Sequence, residues 1–390
     1  MKQYSLAKTL PVFMAFYVMG LGDIIGVATS YAQRDLGLTG ALTQLLTTMT
    51  FVWFFLLSVP IGIFQDKNSK KKAVILGALF FAASMIVPLV WYTYQGMALT
   101  FMLLGIGNAI VQVSANPLMQ DVSPAGKLSR NLTLSQFVKA IAGMLGPVIA
   151  AFCASAFGNW KLIYWVYLFI CILSLLWLQF TPIQETGNTG RASFSSTMKL
   201  LRNSKVALIV LGTFVMVGFD VGINTNVAQY LKTTYSVSQE EAVVGISIYF
   251  AALMVGRFLS AIILNKFSGN KMLFYCAILS VLSFALLYLM PDFNTGRIAI
   301  FCVGLFTAAI FPLIFSAGLQ YMPERANELS GLMIMSVCGG GIIPPIVGWL
   351  SDFSSLRIAF ALLGLCLAYV IFLSLYILHT EKRSVNYESR

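Results

Sequence analysis

Twelve mainly apolar stretches, each long enough to cross a bilayer, follow one another along the sequence with short polar breaks between them. A helix needs about 20 such residues to cross the hydrocarbon core. The stretches run over 10–33, 41–64, 73–94, 97–120, 132–156 and 161–180, then over 205–230, 242–264, 272–290, 297–321, 329–350 and 357–378. They lack the period-two alternation of barrel strands, so the pattern predicts helices. With 58% hydrophobic and 10% charged residues, the chain has too little charge to coat a soluble surface; ordinary soluble domains carry about 25% charged residues. This excludes a soluble enzyme, a disordered chain and a nucleic-acid binder. What remains is an all-α integral membrane protein, with the lipid bilayer as its solvent.

The net charge of +11 is then a statement about topology. Lys and Arg in short loops collect on the cytoplasmic side. With an even number of spans both termini share one side, and that side takes 18 of the 25 basic residues. They are Lys2, Lys8, Lys67, Lys70, Lys71, Lys72, Lys127, Arg130, Arg191, Lys199, Arg202, Lys205, Lys266, Lys271, Arg325, Lys382, Arg383 and Arg390. The other side takes only Arg34, Lys161, Lys232, Arg297 and Arg357. Both termini are therefore expected in the cytoplasm, with the chain in the cell (inner) membrane. Residues 181–204 form the longest polar stretch. The expected division is a first bundle over 1–180, a cytoplasmic linker over 181–204, a second bundle over 205–380 and a cytoplasmic tail over 381–390.

The two bundles repeat one design. A shift of 199 residues places Lys67 on Lys266, Lys72 on Lys271, Gly105 on Gly304 and Pro124 on Pro323. A shift of 198 places Pro147 on Pro345, and one of 197 places Asp23 on Asp220. Two pseudo-symmetric six-helix bundles with a substrate site near the midplane are a transporter arrangement. No Walker motif suggests an ATP-driven pump. The six cysteines all fall in apolar stretches without metal-ligand spacing, and the single His379 falls in the tail after the last one. No catalytic cluster, metal or cofactor is expected, so the chain is not read as an enzyme. The Asn131-Leu-Thr133 sequon falls on the cytoplasmic side, where it is not used.

After the second stretch the sequence reads Gly62-Ile-Phe-Gln-Asp66-Lys67-Asn-Ser-Lys70-Lys71-Lys72. This resembles the G-x-x-x-D-[RK]-x-x-[GK]-[RK] motif of the major facilitator superfamily. The second half carries a degenerate copy, Gly256-Arg257 and then Asn265-Lys266. A narrower resemblance, to the fucose/glucose/galactose permease group, lies in five short runs: Gln112-Val-Ser-Ala-Asn116-Pro117, Leu132-Thr-Leu-Ser-Gln136, Gly218-Phe-Asp220-Val-Gly222, Gly256-Arg257-Phe and Gly339-Gly-Gly341-Ile-Ile-Pro344. The resemblance covers both halves. It departs where the fucose branch has a Glu at the Gln112 position, where the group's helix 1 Asn pair has no match near Gly26-Val27, and where Lys139 stands for an Asn of helix 5.

The resemblance implies the major facilitator fold, a monomer, and a cavity lined by helices 1, 4, 7 and 10. Gly62, Asp66, Lys67 and Arg257 are then candidate gating residues. Ionisable groups inside spans are costly and usually functional. Asp23 and Asp220 are the candidate coupling residues for H+ or Na+. Amides suit a polyol, which needs many hydrogen bonds. The candidate substrate-binding set is Gln112, Asn116, Gln136, Lys139, Asn224, Asn226 and Gln229, with Phe16, Tyr31, Trp53, Tyr249 and Phe311 as aromatic faces. The expected function is import of a hexose-like sugar by proton or sodium symport. The alternatives are import of an acidic sugar or other organic anion through Lys139, and export of a drug or lipid, which Gly146-Pro147 suggests.

Overall fold

The computed structural model of the chain describes residues 6–186, 192–237 and 239–388. Lys2, Arg191 and Arg390, counted above for topology, lie outside them, as does 187–190 of the linker. The described residues contain 12 helices long and apolar enough to span a membrane. In chain order, spans 1 to 6 are Leu6–Leu36, Thr48–Lys67, Lys70–Val90, Tyr94–Val122, Leu128–Phe157 and Leu162–Phe180. Spans 7 to 12 are Ser204–Tyr235, Gly245–Ile263, Gly269–Leu289, Phe293–Tyr321, Pro323–Ser351 and Leu356–Glu381. All 12 stretches read from the sequence are present, with ends displaced by a few residues.

Several spans are not continuous helices. Span 1 passes through a 3-10 turn at Gly22–Ile24. Span 10 breaks between Thr307 and Ile310. Pro312 explains that break, because it has no N–H for the Ala308 carbonyl. Span 11 passes through a 3-10 turn at Ser336–Cys338, just before three consecutive glycines. Span 7 runs unbroken for 32 residues.

The chain forms two compact units. The first is Met1–Leu128, Ser135–Leu200 and Met322–Met335; the second is Ser129–Leu134, Leu201–Tyr321 and Ser336–Arg390. In the first, span 4 packs against spans 2 and 3, and span 3 against span 6. In the second, span 8 packs on span 10, and span 7 on spans 11 and 12.

This differs from the division at 181–204 in two short segments. Met322–Met335, the start of span 11, belongs with the first unit. The reason is local chemistry. Pro117 in span 4 has no N–H for the Val113 carbonyl, and a bare carbonyl within a bilayer needs a donor. The Ser330 hydroxyl supplies it at 2.6 Å. A few residues along, a Cβ added at Gly62 would lie 2.9 Å from the Asn327 carbonyl oxygen and 3.3 Å from the Gly331 Cα. Only glycine lets spans 2 and 11 come this close. Conversely, Ser129–Leu134 belongs with the second unit, where the Ser129 and Ser316 hydroxyls pair at 2.7 Å.

Within the linker, Phe194–Lys199 is a helix closed by a capping box between Ser193 and Ser196. One smaller expectation is corrected. His379 does not follow the last helix but lies within it, since that helix continues to Glu388. The six cysteines are unpaired thiols, four buried and two half-buried (Cys302 and Cys338).

Candidate functional site

In the first unit, Asp23 stands in the 3-10 turn of span 1. It is exposed. Its side chain lies over Gly143 of span 5: a Cβ there would sit 2.8 Å from Asp23 Oδ2 and 3.2 Å from its Cβ. Gly143 is open in a second way, because Pro147 has no N–H to pair with its carbonyl. One turn earlier in each span, Gly20 faces the Lys139 backbone carbonyl, 2.3 Å from an added Cβ. Gly22 faces Asn108 of span 4, whose Nδ2 would lie 2.8 Å from such an atom. The Tyr167 hydroxyl of span 6 approaches Gly146, and Tyr167 lies within electrostatic reach of Asp23. Tyr167 Oη and Asn108 Oδ1 are buried without a hydrogen-bond partner among the described residues. Lys139 is half-buried. Its side chain makes no hydrogen bond or ion pair among the described residues.

The amides of the first unit are not equally available. Gln112, Asn116 and Gln136 are all buried. Asn116 donates to the Gln112 carbonyl of its own helix at 2.6 Å, which satisfies one donor locally. Among the candidate rings, Phe16 is fully buried and Trp53 leans on Gly105. Tyr31 is stacked on Trp160, with ring centroids 4.6 Å apart, and so is not an open face. Trp160 also donates to Asp35 at 2.9 Å, and the Tyr92 hydroxyl donates to the same carboxylate at 3.1 Å. Burial and the Asp35 charge hold the Tyr92 phenol well above its ordinary pKa.

In the second unit, Asp220 is half-buried within the unbroken span 7. It accepts a hydrogen bond from Tyr249 of span 8 at 2.5 Å. Tyr249 is fully buried, so it is a holder of Asp220 and not an exposed ring. The amides of span 7 lie on one helix as expected. Asn224 and Asn226 are half-buried and Gln229 is exposed. Asn226 spends its Nδ2 on the Gly222 carbonyl and the Thr225 hydroxyl. Phe311 is half-buried. Half-buried Arg257 lies within electrostatic reach of Tyr249, next to Gly256, where span 8 meets the Leu305 carbonyl.

The candidate gating residues divide. Asp66 is 3% exposed and accepts from the Asn327 side chain and the Ala192 N–H, each at 3.2 Å. Lys67 is exposed. Around Asp66 lies a network that sequence reading missed. Buried Glu328 accepts from Arg325 at 2.6 Å and from the hydroxyls of Ser196 and Thr197 at 2.7 and 3.1 Å. Nearby, Lys70 is not part of an exposed basic belt: it is 1% exposed and pairs with Asp121 at 2.6 Å. Thr186 bonds to both members of that pair, and Glu185 accepts the backbone N–H groups of Lys70 and Lys71 at the start of span 3. Asp121 and Glu328 fall just outside the apolar stretches 97–120 and 329–350. A hydropathy reading treats such charges as boundaries.

Residues 12–345 match the Major Facilitator Superfamily. The chain belongs to that superfamily. It is 24% identical over 396 residues to the glucose/galactose transporter of Brucella abortus, covering 96% of this chain and 94% of the relative. It is 24% identical over 365 residues to the L-fucose-proton symporter of Escherichia coli, covering 82% and 81%. The crystal structure of the E. coli fucose:proton symporter superposes with a TM-score of 0.85 at 17% identity, over 96% of this chain and 99% of that one. The major facilitator fold and the multi-pass membrane architecture read from the sequence are thereby established.

Proposed function

We propose that the chain is a secondary active transporter that imports a hexose-like sugar by cation symport. The observation that carries this is likeness along nearly the whole chain to a protein named as a glucose/galactose transporter. The geometry agrees. Asp23 sits at a helix break, on a glycine surface, in the turn that meets buried Asn108 of span 4. A charge at a break in a span changes the balance between two conformations when it is neutralised. The likeness to a protein named as an L-fucose-proton symporter favours H+ as the coupling ion. Asp220, held by Tyr249, is the secondary acid.

In this reading no covalent chemistry is done and no cofactor is needed. Gln112 and Gln136 of the first unit present amides to sugar hydroxyls, and the chain works as a monomer. The excess of Lys and Arg on one side supports termini in the cytoplasm, and an inner-membrane location is part of the same proposal.

The test is uptake into proteoliposomes across a panel of neutral and acidic sugars, with a pH gradient and a sodium gradient applied separately. Accumulation of a neutral hexose under the pH gradient is the expected result. No accumulation of any sugar under either gradient overturns the proposal.

A further inference from the structure

The second unit holds a cavity that takes no part in the Asp220 region. It measures about 660 Å³ and lies among the ends of spans 7, 9, 10 and 12. Small-molecule sites run to about 300–1,000 Å³. This is also the end that carries Lys266 and Lys271, hence the cytoplasmic end in the topology above.

Its walls are chemically mixed in an informative way. Lys205 and Glu381 both line it. Lys205 lies over the Tyr321 ring, 4.2 Å from the centroid. The Tyr321 hydroxyl accepts from Asn203 at 3.2 Å, which holds the ring in place. Glu381 accepts from Asn270 at 3.0 Å. Gln320 completes the polar lining, its Nε2 turned to Ser316 at 2.6 Å and its carbonyl not needed for that bond.

An inorganic anion here would face the Glu381 carboxylate, and a simple cation would face the Lys205 ammonium. A neutral polyol meets neither conflict, because each hydroxyl both donates and accepts. It can donate to Glu381, accept from Lys205 and exchange bonds with the amides. The tyrosines offer apolar area to its C–H faces. We propose that this cavity is a second carbohydrate site, taking a neutral polyhydroxylated molecule of one or two rings. It would let sugar already delivered to the cytoplasm bind the transporter away from the transport path. The choice of sugar as ligand class rests on the proposed function; the pocket chemistry does not.

The experiment reads the pocket directly. Thr380, on its wall, is replaced (Thr380→Cys) in the full chain in lipid nanodiscs, and maleimide labelling at that position is followed by peptide mass. The probes are D-glucose, D-galactose, L-fucose and maltose, with inorganic phosphate and choline as charged competitors. A sugar at nine times its Kd slows labelling about tenfold. Asn270→Ala removes this protection, and Asp23→Asn, in the other unit, keeps it. Ser204→Cys, also on the wall, serves if the first variant does not fold. Absence of protection by all four sugars overturns the proposal. So does protection that survives Asn270→Ala, or equal protection by phosphate or choline. Protection without gradient-driven uptake would sink the transport reading and leave the pocket standing; uptake without protection would do the reverse.

Discussion

Asp23 and Asp220 occupy matching places in the two halves of the sequence, yet their surroundings are of opposite kinds. Span 1 breaks at Asp23, while span 7 is continuous through Asp220. The glycines beside Asp23 face polar groups: Gly20 the Lys139 carbonyl and Gly22 the Asn108 amide. The glycines beside Asp220 face aliphatic side chains: Gly218 meets Ile343 and Gly222 meets Leu363. Asp23 is exposed on a glycine surface, whereas Asp220 is half-buried and tied to a buried tyrosine. A duplicated design thus has an acid in both halves, and the proposed function divides their work. One carboxylate lies exposed at a helix break, where a change of state needs little repacking. The other is built into the helix contact that holds it.

The comparison can be broken first at Asp23. Asp23→Asn is expected to abolish accumulation driven by a pH gradient and to spare equilibrative counterflow. Unchanged concentrative uptake would end the coupling assignment. Next comes the surface beneath it. Gly143→Val adds atoms where Asp23 Oδ2 now lies, so uptake should fall steeply, by about tenfold for a cost of 1.4 kcal/mol. The protein's melting temperature in detergent should change little, because the displaced group is exposed.

Asp220 should behave in the opposite manner. Tyr249→Phe removes the donor to a half-buried carboxylate, and such losses cost about 1–3 kcal/mol. The expected result is a lower melting temperature with concentrative uptake retained. Asp220→Asn should also retain concentrative uptake, with a smaller drop in melting temperature, since an amide oxygen can still accept from Tyr249. If Asp220→Asn instead abolished gradient-driven uptake, the division of labour between the acids would be wrong. The smallest effect is expected from Lys139→Gln. Lys139 holds no partner among the described residues, so uptake of a neutral sugar should stay within about twofold. A large loss confined to anionic substrates would favour the acidic-sugar reading.

The fold was largely legible. Twelve apolar stretches each became a span, because helix formation in a bilayer is decided locally by length and hydropathy. The 197–199 residue offsets pointed to two halves of one design, and Asp23 and Asp220 were visible as acids that an apolar background had tolerated. The surroundings of the site were less so. Asn108 and Tyr167 carried no mark, since one amide in a glycine-rich helix and one tyrosine among 16 are unremarkable until the helices pack. Asn116 was legible as polar, but not as bonded to its own helix. Tyr31 and Tyr249 were legible as aromatic, but not as already engaged.

What the sequence determined by itself is the membrane, the number of spans, the duplication and the residue types at each depth. All of these follow from sums over neighbouring residues. What only the tertiary structure decided is which charges are withdrawn from water and with whom. Lys70 reads as one of three consecutive lysines in a basic loop, and it is the buried partner of Asp121. Glu328 reads as the edge of a span, and it is the buried acceptor for Arg325, Ser196 and Thr197. A buried charge is tolerable only with a partner at hydrogen-bond distance. Apart from Arg325, three residues from Glu328, those partners come from another span and from the linker, so no window along the chain contains them.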